Sequence, residues 1–121
     1  MTAETTSGVR AFYIDVPEAV LEDLRDRLTR TRFPGEVAGS GWTYGTNLDY
    51  LKQLVKYWVD DYDWRAAEAS LNRLPQFVAP VDGLDLHFVH VHGNGPAPLP
   101  LLISHGWPGS FFEMADIIGP L

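Results

Sequence analysis

The hydrophobic period of this chain changes once, at Pro75. Before that residue apolar side chains recur every three or four positions, the spacing of one helix face. After it they alternate or run together, as strands do. The charge pattern breaks at the same place, because no Lys or Arg follows Arg73. A helical stretch feeding strands in a chain of 121 residues points to a single α/β domain at most.

The first part resolves into three helices. Pro17 suits a first helical turn, where its missing N–H goes unneeded. Val20, Leu21, Leu24 and Leu28 then form one stripe, and Asp23 with Arg27 and Asp26 with Arg30 form acid-to-base pairs on the solvated face. Phe12 to Val16 reads as an extended lead-in, and Phe33-Pro-Gly35 stops the helix. Residues 35–46 hold four of the eleven glycines together with Trp42 and Tyr44, and read as an irregular loop. Asn47 can cap a second helix, over 48–62, with Leu51, Leu54, Val55, Trp58, Val59 and Tyr62 inward. A third, over 64–74, carries Trp64, Ala67, Leu71 and Leu74, with Asp63 as its cap and Pro75 as its end.

Past Pro75, Gln76–Val81 and Leu84–Val91 flank Asp82-Gly83, a strong two-residue hairpin signal. Leu84, Leu86 and Phe88 share one face; Asp85, His87, Val89 and Val91 share the other. After a Gly- and Pro-rich loop, Leu99–Ile103 is an apolar run expected to be a strand buried on both faces. The organisation expected is a disordered tail at 1–10, a helical region at 11–75 and the start of a sheet-containing core at 76–121.

Composition narrows the classes. Nine Lys and Arg against sixteen Asp and Glu give a net charge of −7, and an acidic surface repels phosphate backbones, so nucleic acid is excluded as partner. The absence of cysteine removes disulfides, thiolate metal sites and Cys nucleophiles. No apolar run approaches a membrane span and the first residues lack a secretory pattern, which together favour a soluble cytoplasmic protein.

Three clusters could carry chemistry. His87, His90 and His92 suggest a metal site, but a regular strand sends His87 to one face and the other two to the opposite face, and no Cys or carboxylate completes a tetrahedral set. Asp60, Asp61 and Asp63 suggest a cation site, but a helix cap and solvated carboxylates explain them as well. The third cluster, Leu101-Leu-Ile-Ser-His-Gly-Trp-Pro-Gly-Ser-Phe-Phe-Glu113, is more specific. A buried strand ends at Ser104, small residues turn the chain, and Ser110 with Glu113 forms a capping box for a helix that Gly119-Pro120 ends. A strand–turn–helix of this kind brings backbone N–H groups to the carboxyl edge of a sheet, where they suit a developing oxyanion. No metal or cofactor is expected.

The segment Pro100–Glu113 resembles the third strand, oxyanion turn and first helix of the microsomal-type epoxide hydrolases, within the α/β-hydrolase fold. The resemblance extends upstream. Phe12-Tyr-Ile-Asp-Val-Pro17, Leu24-Arg-Asp-Arg-Leu28 and Thr31-Arg-Phe-Pro34 resemble the opening of that family's N-terminal domain. Tyr57-Trp58, Tyr62-Asp-Trp-Arg65 and Leu71-Asn-Arg-Leu-Pro-Gln-Phe77 resemble its later helices, and Val81–Val89 its first hairpin. It covers nearly everything after the first ten residues.

The resemblance implies an α/β fold whose sheet this chain only begins. It implies an enzyme that adds water to a small-molecule epoxide, giving a vicinal diol through an alkyl-enzyme ester, in a detoxification role. His105-Gly106-Trp107-Pro108 matches the family's HGXP motif, so the Trp107 N–H would help bind the oxyanion, the Trp107–Pro108 bond would be cis, and His105, Gly106, Pro108 and Gly109 would support the turn. The nucleophilic Asp, the His, its acidic partner and the cap tyrosines match no position here, so these 121 residues alone are expected to be inactive and to need the C-terminal remainder as partner; a homodimer is a further expected assembly. Asp82, Asp85, Asp116, Ser104 and Ser110 are poor stand-in nucleophiles: Asp82 belongs to a turn, Ser110 is a cap and Ser104 lacks a nucleophile elbow. Two other readings stay open. One is another α/β-hydrolase, such as a haloalkane dehalogenase or an esterase. The other is a non-catalytic helical module that binds a partner through its Trp- and Tyr-rich faces.

Overall fold

The computed structural model describes residues 8–121. Two compact units are present: one of residues 8–14 with Ala66–Leu121, the other of Asp15–Arg65. Most of the expected tail lies outside the described residues, and its last residue, Arg10, already belongs to a strand.

In the Asp15–Arg65 unit, α1 spans Glu18–Thr29 and α2 spans Leu48–Asp60. Pro17 stands just before α1 as its N-cap, one position earlier than the first-turn place expected of it. Asn47 caps α2, its side chain accepting the Tyr50 N–H at 2.9 Å. Glu36 adds a second acceptor at the same end, taking the Leu48 N–H at 3.1 Å. The two helices pack through their apolar stripes. Leu21 is buried there, and an apolar groove of about 390 Å³ runs past Leu24, Leu28, Leu54, Tyr57, Trp58 and Tyr62. The expected pairs form on the wet face: Arg27 meets Asp23 at 3.5 Å and Arg30 meets Asp26. Being exposed, each contributes only about 0.3–0.5 kcal/mol.

The boundary between the units falls within α3, Trp64–Leu71, three residues shorter than the sequence suggests. Residues 72–74 close it with tighter turns, Arg73 N–H bonding to Ser70 O and Leu74 N–H to Leu71 O.

The other unit is built on a three-stranded antiparallel sheet in the order β1 (Arg10–Phe12), β2 (Gln76–Val81), β3 (Leu84–Val89). The turn joining β2 to β3 has positive φ at both Asp82 (50°) and Gly83 (81°), the geometry that matches strand twist in a two-residue hairpin. The register sets Gln76 opposite Val89 and Val78 opposite His87. β3 stops at Val89, two residues early: the His90 N–H still bonds the Pro75 carbonyl opposite it at 3.1 Å, but Pro75 has no N–H to return the bond. β1 falls where only a lead-in was expected, with Arg10 opposite Val78 and Phe12 opposite Gln76. One face therefore carries Phe12, Gln76, Val78 and His87, with Gln76 and Val78 buried; the other carries the Phe77–Phe88 stack, 5.7 Å between centroids.

The expected strand at Leu99–Ile103 is absent. Strand structure needs a neighbour to complete its ladder, and among the described residues none pairs with this stretch. Its side chains lie open to solvent, Leu99 at 91% and Leu102 at 94% exposure.

Candidate functional site

The His105–Gly109 turn follows that stretch. The Gly109 N–H closes onto Gly106 O at 2.8 Å, a tight bend across Trp107 and Pro108. The Trp107–Pro108 peptide bond is cis, the isomer expected from the resemblance. The indole of Trp107 projects into solvent, and its residue is 96% exposed. Among the described residues, the Trp107 N–H donates to no protein oxygen. A turn that leaves a backbone donor unengaged beside a second small residue can offer it to an incoming anion.

Beyond the turn the chain winds into a 3-10 turn, Phe111–Met114, and then α4, Ala115–Ile118. Ser110 caps the start as expected, but by a different bond. The Glu113 N–H is taken by Ser110 O at 3.1 Å, the 3-10 pattern, so the Ser110 Oγ receives the Phe112 N–H instead, at 3.3 Å. The Glu113 carboxylate folds back over Gly109, where an added Cβ would sit 2.3–2.5 Å from it. Gly109 thus leaves the room that this side chain occupies.

The other candidates do not converge. His90 and His92 stack edge to face at 4.8 Å beside Phe77, while His87 lies on the opposite sheet face. Among the described residues no three His, Asp or Glu side chains are arranged to hold an ion. Asp60 pairs with Lys56, whose ammonium is held above the usual lysine range mainly by that hydrogen bond. Asp82 sits in the hairpin turn, Asp85 bonds Arg10 at 2.5 Å, Asp116 lies exposed in α4, and Ser104 Oγ bonds the carbonyl of His105.

What sequence reasoning missed is the role of His87. Gln76, 3% exposed, gives the hydrogens of its Nε2 to Leu71 O (3.0 Å) and Asn72 Oδ1 (3.4 Å). Its Oε1 can then only accept, so His87 Nε2 carries a proton and donates it at 2.9 Å. The imidazole is wedged between Phe12 (centroids 5.0 Å) and Phe111 (4.9 Å). Burial pushes its pKa below the usual histidine range. The signal was present: a two-residue turn at 82–83 forces 78 opposite 87 and 76 opposite 89, which sets His87 diagonal to Gln76.

Residues 9–114 match the model of the epoxide hydrolase N terminus. The chain belongs to that family. It is 40% identical over 115 residues to epoxide hydrolase 1 of the rabbit, Oryctolagus cuniculus, covering 92% of this chain and 25% of that protein. Among solved structures, the juvenile hormone epoxide hydrolase of the silkworm Bombyx mori superposes with a TM-score of 0.83 at 32% identity, over 93% of this chain and 31% of that one. The Aspergillus niger epoxide hydrolase superposes with a TM-score of 0.84 at 29% identity, over 92% and 30%. The chain spans about a quarter of the length of the curated relatives it matches. Its fold class is accordingly that of the α/β-hydrolases, as an epoxide hydrolase N-terminal region with the opening elements of the sheet.

Proposed function

We propose that this chain works as the N-terminal part of an epoxide hydrolase, one that opens a small-molecule epoxide with water to a vicinal diol. In that enzyme the Trp107 N–H is a donor to the oxyanion, held by the His105–Gly109 turn. The observation that carries the reading is the family match over residues 9–114, which includes that turn and its unengaged donor. The exposed apolar run at Leu99–Ile103 supports it further, since such a run calls for cover by parallel neighbours from the rest of the protein. The nucleophile and its activating base come from that remainder, so residues 1–121 alone turn over no epoxide.

The test is a substrate panel given to the full-length protein: a terminal aryl epoxide, a haloalkane and an activated ester, with products read by mass spectrometry. Diol from the epoxide alone is the expected result. Halide release or ester cleavage without diol formation would replace this reading with the corresponding hydrolase.

A further inference from the structure

We infer that His87 is a positioning residue for the His105–Gly109 turn, acting through Phe111. The role of that turn rests on the function proposed above; the link between His87 and the turn does not.

Gln76 is buried and held at its amide end, because its amide hydrogens have two acceptors, the Leu71 carbonyl at the end of α3 and the Asn72 side chain just beyond it. Asn72 is itself tied twice to the Ile14 backbone. The Gln76 Oε1 presents one direction to the His87 Nε2–H, and this bond together with the Phe12 ring packed at 5.0 Å sets the orientation of the imidazole. An aromatic ring held in plane offers its edge and face in set directions, and Phe111 packs on it at a 60° interplanar angle. Phe111 lies two residues after Gly109, at the start of the 3-10 turn. The His105–Gly109 turn makes few bonds of its own: its Gly109–Gly106 closure, a weak His105 Nδ1 contact with Gly106 O at 3.3 Å, and the Ser104 Oγ bond. The half-buried Phe111 ring, two residues on, is its nearest aromatic anchor to the sheet. A leucine at position 87 would fill the space but could neither bond Gln76 nor orient Phe111.

The experiment uses full-length protein carrying 5-fluorotryptophan, with the Trp107 resonance assigned by its loss in Trp107→Phe. His87→Leu should shift the Trp107 fluorine resonance while those of Trp42 and Trp58 hold still. On an epoxide substrate kcat should fall by about 10- to 100-fold, as expected for a misplaced catalytic group, with KM little changed. Phe111→Leu should do the same, and the double variant should be no worse than the poorer single one. If His87→Leu does not fold, Phe111→Leu carries the fluorine test. An unmoved Trp107 resonance in a folded variant overturns the inference whatever the kinetics. A shifted resonance in a protein with no epoxide activity keeps the link and overturns the proposed function instead.

Discussion

Asn72 holds the Ile14 backbone with both ends of its amide, its Oδ1 accepting the Ile14 N–H at 2.9 Å and its Nδ2 donating to the Ile14 carbonyl at 2.8 Å. The two residues are 58 positions apart, and the clamp fixes the chain where it leaves β1. Asn72→Ala would leave both backbone groups of the half-buried Ile14 without this partner and remove one acceptor of Gln76. The expected cost is about 1–3 kcal/mol in chemical denaturation of the full-length protein. A loss within about 0.5 kcal/mol, the range of ordinary surface changes, would show that water replaces the clamp.

The hairpin turn should tolerate one residue and reject another. Gly83 sits at a φ of +81°, where a Cβ meets its own backbone. Gly83→Ala should therefore lower stability by about 1–2 kcal/mol. Gly35→Ala serves as the control, because it has open space around it and no positive φ. Asp82→Asn, at a φ of +50°, should be neutral, since Asn accepts that region readily. Equal melting temperatures for the Gly83→Ala and Gly35→Ala proteins would contradict the turn assignment.

His87 gives the protein a pH signature. Its imidazole titrates below the ordinary value of 6.5 because burial penalises the charged form. Between the two values the unfolded chain binds a proton that the folded chain does not, so stability rises with pH across that window and is lost on acidification. Charged groups on the same sheet face, Arg10 and Asp85, and on the elements nearby, Glu68 in α3 and Glu113 in the 3-10 turn, are common to parent and variant. The difference between the parent and His87→Gln therefore isolates the imidazole. The parent should lose more stability than the variant on going from pH 7.5 to pH 5.5 in denaturant titrations. Parallel curves would place His87 in water.

The sequence disclosed the elements whose signals are local. Helical stripes marked α1, α2 and α3, the Asp82-Gly83 pair marked the hairpin, and the Ser110 cap marked the winding that follows the turn. β1 escaped because three residues, Arg10–Phe12, are too few to show a period, and their strand character comes from pairing with β2, more than 60 positions away. Leu99–Ile103 failed in the opposite sense. Its composition is that of a buried strand, but strand structure is conferred by neighbours, and among the described residues it has none. The bend after Ser104 was legible in its small residues and its cis Trp107–Pro108 bond through the resemblance, whereas the His87–Gln76–Asn72 chain of bonds depends on register and on the end of α3 together.

The role proposed for the Trp107 N–H is to stabilise an oxyanion during epoxide hydrolysis. Replacing Trp107 in the full-length protein by its α-hydroxy acid analogue turns that N–H into an ester oxygen and leaves the indole in place. In the proposed reaction the tetrahedral oxyanion arises when water attacks an alkyl-enzyme ester, not when the epoxide is opened. Rapid-quench kinetics should therefore show an unchanged alkylation burst and a hydrolysis step slowed by roughly 10²–10³, the cost of one lost oxyanion donor, so that the ester accumulates. A hydrolysis rate equal to that of the parent would contradict the claim.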